Sequence, residues 1–225
     1  MKEIIVAFIF GIVFGFFGSK VLLAIFPNLV PYVKASMPVS TMFEIFFKNS
    51  FLATLICFGG LMFSFAEIRV YKFSRIYRAF DKIYDPLYFF LKKLSKNYMK
   101  LASMYRSCYF SLFTFPVVCI FLIAFLISLY FFTFLSILGL SSIIILQRLL
   151  PHLFLELSVF VFSAKMALDI AEKLEKYIFQ KEIRTFEREG KKLFKSREIW
   201  KRLFVLYCIL FVAAVLEKIF IEIIF

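Results

Sequence analysis

Long apolar runs, set apart by stretches rich in lysine and arginine, constrain this chain more than any other feature. A helix needs about 20 consecutive apolar residues to cross the hydrocarbon core of a bilayer. Five runs approach or reach that length: residues 4–26, 51–66, 109–135, 149–168 and 203–225. The second is short and draws on the apolar residues 42–47 upstream. Hydrophobic residues make up 63% of the 225, including 35 phenylalanines, and the mean hydropathy is +0.90. A soluble domain holds about 45–50% apolar residues, so a water-soluble fold is excluded at the outset. The expected fold is all-α, a polytopic membrane helical bundle of about five transmembrane helices within a single membrane domain, residues 1–225. Residues 136–147, apolar but too short to span, are expected as a loop or re-entrant piece against the bundle. The first run reads as a retained helix rather than a cleaved leader, because Lys20 falls where cleavage would occur.

Charge sets the expected orientation. The formal net charge is +13, and its excess lies in two connections. In residues 67–107, Lys and Arg outnumber the acids Glu67, Asp81 and Asp85; in residues 169–202 basic residues again exceed acidic ones. The remaining connections carry only Lys34, Lys48 and Arg148. Basic loops stay cytoplasmic, so a multi-pass protein of the cell membrane is expected, its N-terminus cytoplasmic and its C-terminus outside.

The basic insertion at 67–107 has helical periodicity. Phe73, Ile76, Tyr77, Phe80, Ile83 and Leu87 recur on one face, and the pattern resumes beyond Pro86 with Phe90, Leu91, Leu94 and Tyr98. Two cytoplasmic amphipathic helices are expected, with Lys72, Arg75, Lys92, Lys93 and Lys96 turned toward anionic headgroups. The charged loop at 169–202 contains Glu172/Lys176 and Glu187/Lys191 at i,i+4 spacing. It reads as a continuation of the fourth helix, broken near Gly190, then a short helix to Trp200.

Ionisable residues inside spanning segments are costly and mark either a functional site or an interhelical clamp. Counting about 1.5 Å per residue, Asn49 at the start of the second helix, His152, Glu156 and Glu217 fall in one layer of the outer leaflet. His152 and Glu156 share a face at i,i+4, and Glu217 follows the small Ala213 by one turn. These four form the expected intramembrane polar cluster. Gly11, Gly15 and Gly18 mark the packing face of the first helix; Lys20 points away from Gly11 and is expected to reach the headgroups.

Several chemistries are absent from the pattern. The one histidine rules out paired-histidine metal sites, and no glycine-rich phosphate loop or nucleophile elbow occurs. Cys57, Cys108, Cys119 and Cys208 lack CxxC spacing and read as small buried hydrophobes. No catalytic residue, metal or cofactor is expected, and a membrane surface accounts for the basic charge without nucleic acid.

Three short stretches carry a family resemblance: Phe47-Lys48-Asn49-Ser50 before an early helix, Pro151-His152-Leu153-Phe154-Leu155-Glu156 opening a later one, and Ala213-Ala214-Val215-Leu216-Glu217 near the end. In these the chain resembles the stage II sporulation protein M family, as a divergent member. The resemblance implies a non-catalytic membrane scaffold that recruits or organises a protein partner or a homo-oligomer. The competing expectation is a transporter or channel subunit in which His152, Glu156 and Glu217 handle a proton or ion.

Overall fold

The computed structural model describes residues 2–25, 41–71, 103–138 and 141–224. These form six α-helices and no strand: α1 (Lys2–Ile25), α2 (Met42–Tyr71), α3 (Ser103–Leu138), α4 (Ser141–Phe179), α5 (Ile183–Phe194) and α6 (Arg197–Ile224). Four of the described helical stretches are long and apolar enough to cross a membrane: Lys2–Ile25, Met42–Val70, Met104–Thr133 and Arg197–Ile219. The protein is therefore an all-helical, multi-pass membrane protein. The fifth expected span, 149–168, lies inside α4 and is not among these four. Large apolar side chains stand outward on these stretches, Phe17 at 62%, Phe51 at 70% and Phe204 at 66% exposure. Such a surface would be an aggregation patch in water, whereas hydrocarbon solvates it.

Helix boundaries follow local chemistry, and several depart from the sequence expectation. α2 starts well before Asn49 because Thr41-Met42-Phe43-Glu44 forms its cap. The Thr41 hydroxyl accepts the Glu44 backbone N–H at 3.2 Å, and Glu44 accepts Lys48 at 2.7 Å one turn on. Asn49 thus sits two turns inside the helix rather than at its start. Residues 136–147 are not a loop: α3 runs on to Leu138 and α4 begins at Ser141. Pro151, expected to open a helix, lies inside α4, as Pro116 lies inside α3. Each proline removes one helical hydrogen bond, a loss that packing and neighbouring groups offset within membrane bundles.

The charged loop is also cut at other places than expected. Gly190 is buried within α5, and the breaks fall at 180–182 and 195–196. A Cβ on Gly190 would stand 2.7 Å from Phe65 Cζ and 3.1 Å from Leu61 Cδ1, so this glycine permits close packing rather than ending a helix. α4 ends at Phe179, and Lys181, two residues on, has a φ of 60°. Glu182 N–H bonds the Tyr177 carbonyl at 2.9 Å and Lys181 N–H the Ile178 carbonyl at 3.1 Å, the paired bonds of a Schellman C-cap. Glycine normally occupies that left-handed position, and a lysine there costs about 1–2 kcal/mol. Lys181→Gly should stabilise the protein by about 1 kcal/mol, part of the gain being lost to unfolded-chain entropy. Its denaturation midpoint in detergent should rise; a fall would show that the lysine side chain matters more than the backbone strain.

The expected pairs Glu172/Lys176 and Glu187/Lys191 do not form. Lys192 at 2.8 Å and Arg188 at 3.3 Å both reach Glu189 instead. The Lys192 ammonium holds the Glu189 carboxyl below the usual carboxylate range. The basic insertion, with Lys72, Arg75, Lys92, Lys93 and Lys96 and its two expected amphipathic helices, lies outside the described residues.

The chain divides into two compact units: Met1–Leu55 with Val117–Ala164 and Lys201–Phe225, and Ile56–Pro116 with Lys165–Trp200. In the first, α1 lies directly on α3. A Cβ on Gly11 would stand 2.6 Å from the Phe121 carbonyl and 2.7 Å from Ala124 Cβ; one on Gly15 would stand 2.5 Å from the Phe125 carbonyl and 2.6 Å from Ser128 Cβ. Glycines facing Ala124 and Ser128 let the backbones approach closely enough for Ser128 Oγ to bond the Ile12 carbonyl at 2.7 Å. Gly18 is different, its nearest neighbour being the flexible Leu129 Cδ1 at 3.3 Å.

In the second unit, α5 lies along α2 through an aromatic seam. Phe186 meets Phe65, while Phe194 and Trp200 meet Phe58. The Trp200 indole N–H donates to the Phe194 carbonyl at 2.8 Å, and the Tyr105 hydroxyl donates to the Lys181 carbonyl at 2.8 Å. Both ends of α5 are thereby tied down.

Candidate functional site

The candidate site lies in the first unit, where α2, α4 and α6 bring polar side chains together between apolar surfaces. The Asn49 carboxamide of α2 donates to Glu156 Oε1 of α4. Glu217 of α6 is close enough for its carboxylate to act electrostatically on Glu156. Both glutamates are half-buried, and the α6 residues one turn before Glu217, Ala213 and Ala214, are fully buried. Small side chains at that level admit a neighbouring helix.

A second polar contact accompanies the first. Thr54 Oγ1 and the Tyr207 hydroxyl are 2.6 Å apart between α2 and α6, and Thr54 also donates to the Ser50 carbonyl at 2.7 Å. Phe46 of α2 meets Phe211 of α6 edge-on, with ring centroids 5.7 Å apart. α2 is thus joined to α4 through Asn49 and to α6 through Thr54.

His152 is placed differently from its expected partners. It is only 6% exposed, and its Nδ1 is buried with no hydrogen-bond partner among the described residues. It shares a face of α4 with Glu156 by spacing, yet it makes no hydrogen bond to Asn49, Glu156 or Glu217. Of the four expected residues, the structure gathers three and leaves the imidazole alone one turn away. Lys20 is exposed, its ammonium over the Phe16 ring at 5.7 Å, and Lys165 is exposed on α4.

Sequence reasoning missed the polar contact of the second unit. Glu67, counted among the acids of the basic insertion, belongs to α2. Its Oε1 accepts Ser111 Oγ at 2.8 Å, and its Oε2 is buried without a partner among the described residues. Ser64, one turn earlier, donates to the carbonyls of Gly60 at 2.8 Å and Cys108 at 3.1 Å. The signal was available: Ser107 and Ser111 stand i,i+4 on α3, and Gly60, Ser64 and Glu67 repeat at matching spacing on α2.

The four cysteines are free thiols, Cys57 and Cys108 buried and Cys208 exposed. Among the described residues no three His, Cys, Asp or Glu side chains are grouped to hold a metal ion. What the first unit's site can do chemically is tie helices by hydrogen bonds, and its carboxyls and imidazole can take up or release protons. Comparison with protein-family models, curated proteins and solved structures finds no match to the chain.

Proposed function

We propose that the chain is a multi-pass scaffold of the cell membrane that recruits or organises a protein partner or further copies of itself. In this reading it has five spans, the fifth within α4, with the N-terminus cytoplasmic and the C-terminus outside. The two basic segments, 67–107 and 169–202, face the cytoplasm, and the first lays its amphipathic helices on anionic headgroups. One observation carries the reading: the Asn49–Glu156 hydrogen bond turns the polar groups of α2 and α4 on one another, with Glu217 of α6 in their neighbourhood. Groups so paired spend their hydrogen-bonding capacity on tying the bundle together. The resemblance to the stage II sporulation protein M family supports the same role. No catalytic residue and no cofactor enters the proposal.

A second reading, a transporter or channel subunit, has its own support in two neighbouring carboxyls and the buried, unpartnered His152 imidazole. Purified protein in sealed proteoliposomes separates the two, with flux of protons, sodium and potassium followed under an imposed gradient. The scaffold reading expects flux no greater than in empty vesicles, for wild type, Glu156→Gln and His152→Ala alike. Flux that both substitutions abolish, while the oligomeric state and fold persist, would overturn it in favour of transport.

A further inference from the structure

α5 has two faces of opposite character. At 100° per residue, its buried residues Phe186 and Gly190 lie on one side, against Phe65 and Leu61 of α2. Arg184, Arg188, Lys191 and Lys192, continued by Lys195 just past the helix end, fall within an arc of about 100° on the opposite side. All five are exposed, Arg188 at 67% and Lys192 at 64% of the side chain. Glu189, about 60° beyond the arc, engages Arg188 and Lys192, and the structure gives Arg184, Lys191 and Lys195 no ion pair among the described residues.

The position of this face along the chain restricts what can meet it. α5 ends at Phe194, and the spanning stretch of α6 begins at Arg197. Two intervening residues extend about 10 Å at most, so the end of α5 is held at the edge of a membrane span. Phe194 and Trp200, 37% and 38% exposed, are followed in the sequence by the exposed Lys201 and Arg202. An aromatic pair next to a row of cations is the pattern of a segment in the headgroup layer.

We infer that the outer face of α5 binds the headgroups of anionic phospholipids, through Arg184, Arg188, Lys191, Lys192 and Lys195. These residues are separate in sequence from the basic insertion at 67–107. A cation near an anionic leaflet contributes about fivefold in affinity, so five on one arc discriminate strongly between charged and zwitterionic headgroups. The apolar face is already engaged by α2, so recognition here is electrostatic, with no helix insertion needed. It therefore weakens as ionic strength rises.

Trp200 is the chain's one tryptophan, so its fluorescence reads this location alone. Full-length protein is reconstituted in vesicles containing brominated phosphatidylglycerol or brominated phosphatidylcholine, and quenching of Trp200 gives the relative occupancy of each. Wild type should favour phosphatidylglycerol by about tenfold or more in low salt, and less in 0.5 M salt (on the order of a 4 Å screening length). The variant R184Q/R188Q/K191Q/K192Q should lose that preference, and K191Q/K192Q should fall between. These side chains are exposed, and an unchanged emission maximum verifies that the Phe194–Trp200 contact persists. Equal quenching by the two lipids in wild type, or full selectivity in the fourfold variant, overturns the proposal. Protection of Trp200 by an added oligonucleotide but not by phosphatidylglycerol would overturn it too, assigning the face to nucleic acid.

Discussion

Gly15→Val should destabilise the folded bundle by about 2–4 kcal/mol, read as a shift in the SDS-unfolding curve of protein in bicelles. Even a Cβ at this position would lie 2.5 Å from the Phe125 carbonyl and 2.6 Å from Ser128 Cβ, atoms of backbone or of a side chain's root. Neither can rotate away, so α1 must retreat from α3 by several tenths of an ångström or more. Retreat stretches the Ser128–Ile12 hydrogen bond, now 2.7 Å, whose net worth is about 1 kcal/mol. It also forfeits the dispersion contacts that hold membrane helices together, since lipid offers no hydrophobic drive toward association. Gly11→Val should behave similarly, its Cβ meeting the Phe121 carbonyl at 2.6 Å. Gly18→Ala is the internal control: its nearest neighbour is the mobile tip of Leu129 at 3.3 Å, and a change within about 0.5 kcal/mol is expected. Equal losses at Gly15 and Gly18 would mean that helix propensity, not close approach, governs α1.

That contrast bears on how much could be read before the fold was known. Membrane class, helix content and the small-residue face of α1 were legible, because apolar run length and i,i+4 glycine spacing depend on single helices. Asn49, Glu156 and Glu217 were also legible, since a polar residue inside an apolar run is conspicuous wherever it packs. His152 looked the same by that criterion and yet stands apart from them. Spacing places a residue on a face, but the neighbour that the face meets is decided by other helices. Glu67 was misread for the opposite reason: it lies next to a basic stretch, and charge counting absorbed it into the loop. Gly190 and Lys181 show the limit of turn chemistry. The glycine is consumed by packing against Phe65, and the left-handed residue just past the end of α4 is a lysine, which no propensity scale would nominate. The upstream extension through 42–47 was legible, and the capping box at Thr41 shows why it leaves Asn49 inside α2 rather than at its start.

Asn49→Leu should cost about 2–3 kcal/mol, while Glu156→Gln should be neutral or stabilising. The asymmetry follows from what each change leaves behind. Removing the Asn49 carboxamide leaves the half-buried Glu156 Oε1 without its donor, and a polar group held out of water without its partner bears a desolvation penalty. Glutamine at 156 keeps a carbonyl oxygen to accept from Asn49 and removes the electrostatic conflict with Glu217. The double substitution Asn49→Leu/Glu156→Leu removes both partners together, and should recover most of what Asn49→Leu loses. A coupling energy of about 1–3 kcal/mol is then expected from the double-mutant cycle, measured by the same SDS titration. Additive losses would show that the two side chains act independently and that the contact contributes nothing to holding the helices. Glu156→Gln carries a further distinction. A clamp tolerates it, because the hydrogen bond survives, whereas a site that must bind and release a proton or cation loses its charge and its turnover. A Glu156→Gln protein as stable as wild type, together with an unchanged absence of flux, is therefore the outcome that the scaffold reading requires.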